Sequence, residues 1–185
     1  MRSKLTLFLL LLTCLAAGSC SDTSMTRNLY DDWWPIHATG SRENESFRAQ
    51  WDGDLNSNGA IEVTYVSKAN PSLAYTDLIY FNALSFNSDK KTFRYAYINS
   101  REITFSKALK YYIEKKIIYF EKMNNLGRGS GEYDSGKDLS FIDKDHVKIG
   151  GITYERFSVY YESHRAKSSQ LRIEPDGRIA VQMNE

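Results

Sequence analysis

The sequence predicts an all-β fold, an antiparallel up-and-down β-barrel of about eight or more strands, with a β-sandwich as the alternative. Three observations lead to this prediction. Apolar and polar residues alternate over many short segments, turn-forming residues separate these segments, and β-branched and aromatic residues are concentrated within them. Aromatic residues make up 14% of the 185-residue chain, so the strands have large side chains with which to build a core.

The first nineteen residues predict a secretory signal peptide. Arg2 and Lys4 form a short basic leader, Leu5 to Leu12 is almost wholly apolar, and small residues precede Cys20. This three-part pattern is typical of an export signal. The apolar stretch is too short for a membrane-spanning helix, which needs about 20 residues.

The segment Leu15-Ala16-Ala17-Gly18-Ser19-Cys20 resembles the lipobox of bacterial lipoproteins. In that family the signal is cut just before the cysteine, and the cysteine thiol then receives a lipid. The resemblance implies a Cys20 lipid anchor carrying fatty-acid (palmitate) chains, hence a cell-envelope protein on the periplasmic or surface face of the outer membrane. The alternative is an ordinary signal peptide, cut near Ala17 or Ser19, in which Cys20 has no role.

After this signal, residues 20–28 are polar and read as a tether, and residues 29–185 form one predicted domain. Alternating apolar residues predict its strands, because antiparallel sheets bury one face and expose the other. The alternating sets are Ile61, Val63 and Tyr65; Phe93, Tyr95 and Tyr97; Ile103 and Phe105; Val147 and Ile149; and Ile179, Val181 and Met183.

Short turn signals separate these strands and predict hairpins, since each contains a residue that tolerates a turn conformation. These signals are Asn58-Gly59, Ser88-Asp89, Asn99-Ser100, Asp143-Lys144-Asp145, Gly150-Gly151 and Pro175-Asp176-Gly177.

The segment from Lys107 to Met123 is compatible with two structures. One possibility is an amphipathic helix, because apolar residues recur at helical spacing at Leu109, Ile113, Ile117 and Phe120. We favour a hairpin of Lys110–Glu114 and Ile117–Glu121 that turns at Lys115-Lys116, because the Tyr- and Ile-rich runs have high strand propensity.

The next segment, Asn124–Asp138, is polar and contains four glycines. We expect it to be a mobile loop.

Two segments resemble parts of the lipocalin-like lipoproteins. The aromatic start, Leu29-Tyr30-Asp31-Asp32-Trp33-Trp34, resembles the first strand of such barrels, although an aspartate replaces the glycine of their Gly-x-Trp motif. The stretch from Asp145 to Arg156 resembles a late hairpin. The resemblance implies a lipocalin-like barrel that binds a small apolar or amphipathic ligand.

If the sheet closes into a barrel, alternation directs a set of aromatic side chains inward. These rings either line a ligand cavity or fill the interior, and both arrangements use the same residue types. The candidate ligand-binding residues are Trp34, Trp51, Tyr65, Phe93, Tyr95, Tyr97 and Phe105.

Charge and motifs argue against several function classes. Lys and Arg number 24 against 23 Asp and Glu, so no basic excess indicates nucleic-acid binding. No motif of a nucleophilic catalyst occurs, so we expect no enzyme and no cofactor. The Asp54-x-Asn56-x-Asn58-Gly59 run matches the start of a calcium loop, but position twelve is Tyr65 rather than glutamate. We expect no metal site, with Asp54, Asn56 and Asn58 a weak calcium candidate and a polar hairpin loop the preferred interpretation.

A second functional hypothesis remains beside ligand binding. The domain is then an interaction module or an accessory subunit of an outer-membrane assembly, with a filled barrel as scaffold and its loops, especially Asn124–Asp138, as the working surface. Its partner is a protein of the envelope.

Overall fold

The computed structural model describes residues 24–98, 103–165, 171–173 and 179–181. Strands dominate it, and a helix, α1 (Phe157–Arg165), follows the thirteenth strand. The strands are β1 (Asp31–Glu43), β2 (Phe47–Asp54), β3 (Ala60–Ser67), β4 (Ala74–Tyr80), β5 (Ala83–Asn87), β6 (Thr92–Ile98), β7 (Ile103–Phe105), β8 (Leu109–Glu114), β9 (Ile117–Met123), β10 (Gly129–Tyr133), β11 (Lys137–Phe141), β12 (His146–Ile149), β13 (Ile152–Arg156), β14 (Leu171–Ile173) and β15 (Ile179–Val181).

Eight antiparallel strands close into a barrel. Their order around the barrel is β1, β5, β6, β8, β9, β11, β12 and β13, and β13 pairs with β1 to complete the circle. Neighbours in the barrel follow one another along the chain, as in an up-and-down arrangement. The predicted all-β barrel is therefore confirmed, and the alternative sandwich is wrong.

Strand β1 is longer than the barrel wall and continues beyond it. Its first half pairs with β5 and β13, whereas His37–Glu43 pairs with β2, and β3 and β4 follow outward. The pairing with β13 shifts register between Pro35 and His37, where proline cannot donate to the ladder and a bulge bends the strand. We call the four-stranded sheet of His37–Glu43, β2, β3 and β4 the flange.

The barrel interior is filled by side chains from all eight strands. Alternation along each strand directs one set inward, and Trp33, Phe93, Leu109 and Ile118 are almost completely buried. The whole cluster is Leu29, Trp33, Leu84, Phe86, Phe93, Leu109, Tyr111, Ile118, Phe120, Leu139, Val147, Ile149 and Tyr154.

A short helical turn at residues 24–28 precedes β1 and packs against the barrel core. Met25 contacts that core, Leu29 is fully buried, and the Trp33 Nε1–H donates to the Leu29 carbonyl at 3.0 Å. The second half of the predicted tether is therefore helical, because two apolar side chains hold it against the barrel. The predicted signal peptide and Cys20 lie outside the described residues.

Helix α1 covers part of the outer wall of the barrel. Phe157 and Tyr160 pack on Trp34, Ala83 and Ala96, which point away from the interior. The Trp34 and Tyr160 rings stack with centroids 5.3 Å apart. Small alanines on β5 and β6 leave room for these rings, so burial of aromatic surface fixes the helix on the wall.

The hairpin interpretation of Lys107–Met123 is confirmed. Strands β8 and β9 pair antiparallel, with Tyr111 opposite Phe120 and Glu114 opposite Ile117, and Lys115-Lys116 connects them. Both lysines have positive φ, 50° and 64°. A two-residue turn of this kind suits the right-handed twist of paired strands, and it overrides the low preference of lysine for that conformation.

The prediction of a loop over Asn124–Asp138 is wrong. Strand β10 pairs back on β9, and β11 begins at Lys137. The buried Glu121 carboxylate accepts the Lys110 and Gly131 N–H groups at 2.8 and 3.0 Å. A Cβ at Gly129 would collide with this carboxylate, so the glycine permits the close approach that holds β10 in place.

The predicted turns lie between the strands they were expected to join, with Gly59 and Gly150 in positive-φ conformations. Asn99-Ser100 and Pro175-Asp176-Gly177 fall outside the described residues, as does Met183, whereas Ile179 and Val181 lie in β15.

Replacing Lys115-Lys116 by Asn-Gly should stabilise the protein. Asn and Gly adopt positive φ at lower cost, so we expect the free energy of unfolding to rise by about 0.5–1 kcal/mol. Urea denaturation followed by tryptophan fluorescence measures this change. Lys144→Asn, a change at an exposed loop residue, is the control. Lower stability of the double variant would contradict the turn.

Candidate functional site: the barrel interior and the flange

The candidate ligand-binding residues lie in three separate places. Of the six candidates whose side chains the structure describes, Phe93 and Tyr95 contact the barrel core, where their rings meet edge to face at 5.0 Å. The Tyr97 side chain lies outside the described part of the structure. The barrel interior therefore does not gather the seven predicted aromatic residues.

Trp34 and Phe105 lie together on the outside of the barrel. They line a cavity of about 20 Å³ beside Ala96 and Phe157. That volume holds about one water molecule, so these two residues form no ligand pocket. The prediction that Trp34 points into the barrel is wrong. Trp33 occupies the interior, and because adjacent residues of a strand point to opposite faces, Trp34 points outward.

Trp51 and Tyr65 belong to the flange rather than to the barrel. They pack with Ala49, Val63 and Ile61 on one face of that sheet. Tyr65 stacks on Tyr75 of β4, with centroids 4.9 Å apart and ring planes within 5°. The flange thus has its own aromatic core, and alternation alone does not distinguish it from a barrel interior.

The few hydroxyl groups inside the barrel are strongly desolvated. Burial raises the pKa of Tyr111 to about 12, and burial also raises the pKa of Tyr154. The Tyr111 Oη has no hydrogen-bond partner among the described residues. Both phenols are therefore neutral at any physiological pH and act as packing groups.

An arginine closes the end of the barrel at which β1 begins. The Arg156 guanidinium lies over the Trp33 ring, 4.8 Å from its centroid, and forms an ion pair with Asp31. It also approaches Asp145 at 3.6 Å and donates to the Lys144 carbonyl at 2.9 Å. Its donors are directed at groups of the protein itself, so this cluster joins β1, β13 and the β11–β12 loop rather than binding a ligand.

Two large concave surfaces lie on the flange. Its polar face has two adjoining depressions of about 570 and 560 Å³ that share Ser41 and Gln50. Arg48 and Thr64 line the first, and Thr39 lies in the second. A further depression of about 480 Å³ lies on the barrel, and its lining includes Asp32, Ser85 and Phe93. The flange depressions differ from it in being lined mainly by hydroxyl, amide and charged groups.

A histidine joins two strands where the flange leaves the barrel. The His37 ring lies between two carboxylates of β2, with Nδ1 3.0 Å from Asp54 Oδ1 and Nε2 2.9 Å from Asp52 Oδ1. The hydrogen bond to Asp54 raises the pKa of His37 most. Burial lowers this pKa by less, and the hydrogen bond to Asp52 raises it further, so the folded pKa lies above its ordinary value. Protonated His37 therefore holds β1 and β2 together at the base of the flange.

The weak calcium candidate lies in the β2–β3 hairpin at the same end of β2. Asn56 Oδ1 accepts the N–H groups of Asn58 and Ala60 at 2.9 and 3.0 Å, and Asp54 contacts His37. These oxygens are used to build the turn, as the polar-loop interpretation predicts. In the described chain, no group of three or more His, Cys, Asp and Glu residues is arranged to hold a metal ion.

Comparison with family models, curated proteins and solved structures finds no match to this chain. Within the described ranges, no helix has the length and apolarity to cross a membrane. The sequence reasoning did not identify the flange surface, since Ser41, Arg48 and Gln50 follow an ordinary polar alternation. One signal for it is Pro35 within a strand-forming segment, because proline within a strand marks an edge or a bulge.

The His37 site predicts a pH-dependent stability. Because its folded pKa is raised, His37 contributes stability that is present below its unfolded pKa of about 6.5 and is lost as pH rises through the folded value. We expect the free energy of unfolding of wild type, relative to His37→Gln, to fall as pH rises above about 6.5. Urea denaturation at pH values below and above this point tests the prediction. A pH-independent difference would contradict the predicted linkage.

Proposed function

We propose that this chain is a non-enzymatic, lipid-anchored protein of the cell envelope, whose filled barrel is a scaffold and whose flange is an interaction surface. The observation that carries the proposal is the contrast between the two parts. Side chains from all eight barrel strands pack into one buried cluster, whereas the flange holds depressions of about 570 and 560 Å³. Rigid β scaffolds commonly present their working residues outside the core.

The filled interior argues against a small ligand within the barrel, although lipocalin-like proteins bind ligands there. Entry of a ligand would require displacement of rings such as Phe93 and Phe120, whose centroids are 4.6 Å apart. Removing one such ring from a packed core costs about 3–5 kcal/mol. A surface partner avoids that cost, so the interaction module is the better-supported function.

The anchor also fits the fold at the barrel end. Three residues separate Cys20 from Ser24, so their Cα atoms are at most about 14 Å apart. Met25 and Leu29 pack against the core near Trp33, so an acylated Cys20 would hold this end of the barrel close to the bilayer. Two or three acyl chains on one cysteine suffice for stable anchoring, and the outer membrane is the proposed location.

Cys20→Ala should remove the anchor. Without a thiol at this position the lipid has no attachment site, so we expect loss of metabolic labelling with palmitate and release of the protein from membranes. Fractionation and labelling of cells that express the two forms provide the measurement, with Cys14→Ala as the matched control. Membrane association of Cys20→Ala equal to that of wild type would refute the anchor.

Site-specific cross-linking should locate the working surface. A photoreactive amino acid at Gln50 or Thr64 of the flange should give a stoichiometric adduct with one envelope protein. Ser140, an exposed residue on the barrel wall, is the control position and should give none. Adducts from Ser140 alone, or none from either flange position, would contradict a flange interaction surface.

A further inference from the structure

The outermost strand of the flange has a free backbone edge. Strand β4 pairs with β3 on one side and ends the strand order of the sheet, so no described strand lies on its other side. The pairs Ser67–Leu73 and Gly59–Phe81 are hydrogen-bonded, with N···O distances of 2.9 and 2.8 Å. Because hydrogen bonding alternates along an antiparallel strand, the odd residues from 73 to 81 face β3.

The even residues of β4 therefore direct their N–H and C=O groups away from the sheet. These residues are Ala74, Thr76, Leu78 and Tyr80. The Leu78 N–H is bound by Asp77 Oδ1 at 2.8 Å, whereas no hydrogen bond to the Thr76 or Tyr80 N–H occurs within the described structure. An edge of this kind is a template for one more strand.

Large apolar side chains are exposed along the same strand. Leu73 and Tyr80 are 60% and 64% exposed, and Tyr75 and Leu78 are more than 40% exposed. Tyr75 and Ile79 hold the strand in place by packing on the flange core, so the edge is fixed rather than loose. A strand added beside β4 would bury this apolar surface together with the backbone edge.

The charge on this edge is negative. Asp77 lies on β4 itself, and Glu62 faces outward directly across from Leu78 on β3. Neither carboxylate forms an ion pair with a described cation, whereas Glu43 at the far side of the flange is paired with Lys68 at 2.6 Å. The two carboxylates project from opposite faces of the sheet, because Asp77 and Leu78 are adjacent on β4 and Glu62 pairs with Leu78. Asp77 is therefore the unpaired carboxylate that favours positively charged side chains on its own face of an added strand.

The charge also disfavours a second copy of this chain. Antiparallel pairing of two β4 strands with greatest overlap places Asp77 opposite the same residue of the other copy. Like charges directly opposite each other destabilise a strand pair. The edge is therefore better suited to a partner that brings lysine or arginine.

Resting on the proposed function, we propose that β4 binds an extended basic segment of a partner protein, which adds to the flange as a fifth antiparallel or parallel strand. The partner alternates basic and apolar residues. Its basic side chains meet Asp77 on one face of the sheet, and its apolar side chains cover Leu78 and Tyr80 on the other. Backbone hydrogen bonds to Thr76 and Tyr80 provide the part of the affinity that does not depend on the side chains of the partner.

A synthetic peptide tests this directly on residues 21–185. The probe is the capped peptide Thr-Lys-Val-Lys-Val-Lys-Thr with a fluorescent label, and the control replaces each lysine by glutamate. We expect saturable binding of the lysine peptide by fluorescence anisotropy and none of the glutamate peptide. Asp77→Asn should weaken binding about two- to fivefold, as expected for an exposed charge. Glu62→Gln, on the face away from the lysines, is the matched control and should weaken binding less.

A backbone test separates strand addition from simple charge attraction. Thr76→Pro removes an outward N–H without breaking a bond to β3, which edge strands tolerate, and it should weaken binding at least tenfold. N-methylation of the peptide at every second residue leaves the protein unchanged, so it remains decisive if Thr76→Pro does not fold. N-methylation of the residues whose N–H groups face β4 should abolish binding, and N-methylation of the alternate residues should leave binding intact.

Three outcomes would overturn the proposal: no binding of the lysine peptide, binding indifferent to N-methylation, or a β4-dependent dimer of the chain in analytical ultracentrifugation. If the lysine peptide does not bind but the flange positions give cross-links in the envelope, the proposal of a basic strand is refuted and the proposed function stands. If there is neither peptide binding nor flange cross-linking, both proposals are refuted.

Discussion

Strand β1 hydrogen-bonds to β5, β13 and β2, and the whole arrangement depends on these three pairings. The first two close the barrel, and the third begins the flange. The bulge near Pro35 lies between the residues that pair with β5 and those that pair with β2, and His37 and Ala38 beyond it still pair with β13. Arg156 secures the closure, since it holds β13 against Asp31 and covers the Trp33 ring.

Much of the barrel could be predicted from the sequence, because period-two alternation and turn chemistry are local properties. The β8–β9 hairpin illustrates this: Tyr- and Ile-rich runs indicated strands, and the lysine pair between them forms the turn. The strand β10 could not be predicted in this way. It depends on Glu121, a buried carboxylate that receives backbone N–H groups from two neighbouring strands, and such a contact has no local signature.

The candidate site was harder to predict than the fold. Alternation assigns a side chain to one of two faces, but it does not say which sheet the face belongs to. Tyr65 and Phe93 follow the same pattern, yet one lies on the flange core and the other in the barrel. Trp33 and Trp34 show the related limit, since only the packing of α1 explains why the outward tryptophan is also buried.

The two parts of the molecule differ in what binding would cost them. A guest in the barrel must displace packed aromatic rings, whereas a strand beside β4 satisfies groups that are already exposed and oriented. At the base of the flange, His37 contacts two aspartates of β2, so charge as well as backbone pairing holds β1 and β2 together. This division of a rigid core from an open edge is the basis of the functional account.

Hydrogen–deuterium exchange of the protein, isolated and within membranes of the cells that produce it, tests this account most directly. The account predicts slow exchange of barrel amides such as Phe93 and Ile118 in both states. Amides of Thr76 and Tyr80 should exchange quickly in the isolated protein and become protected in the membrane sample. New protection confined to the barrel strands, with β4 unchanged, would contradict the account.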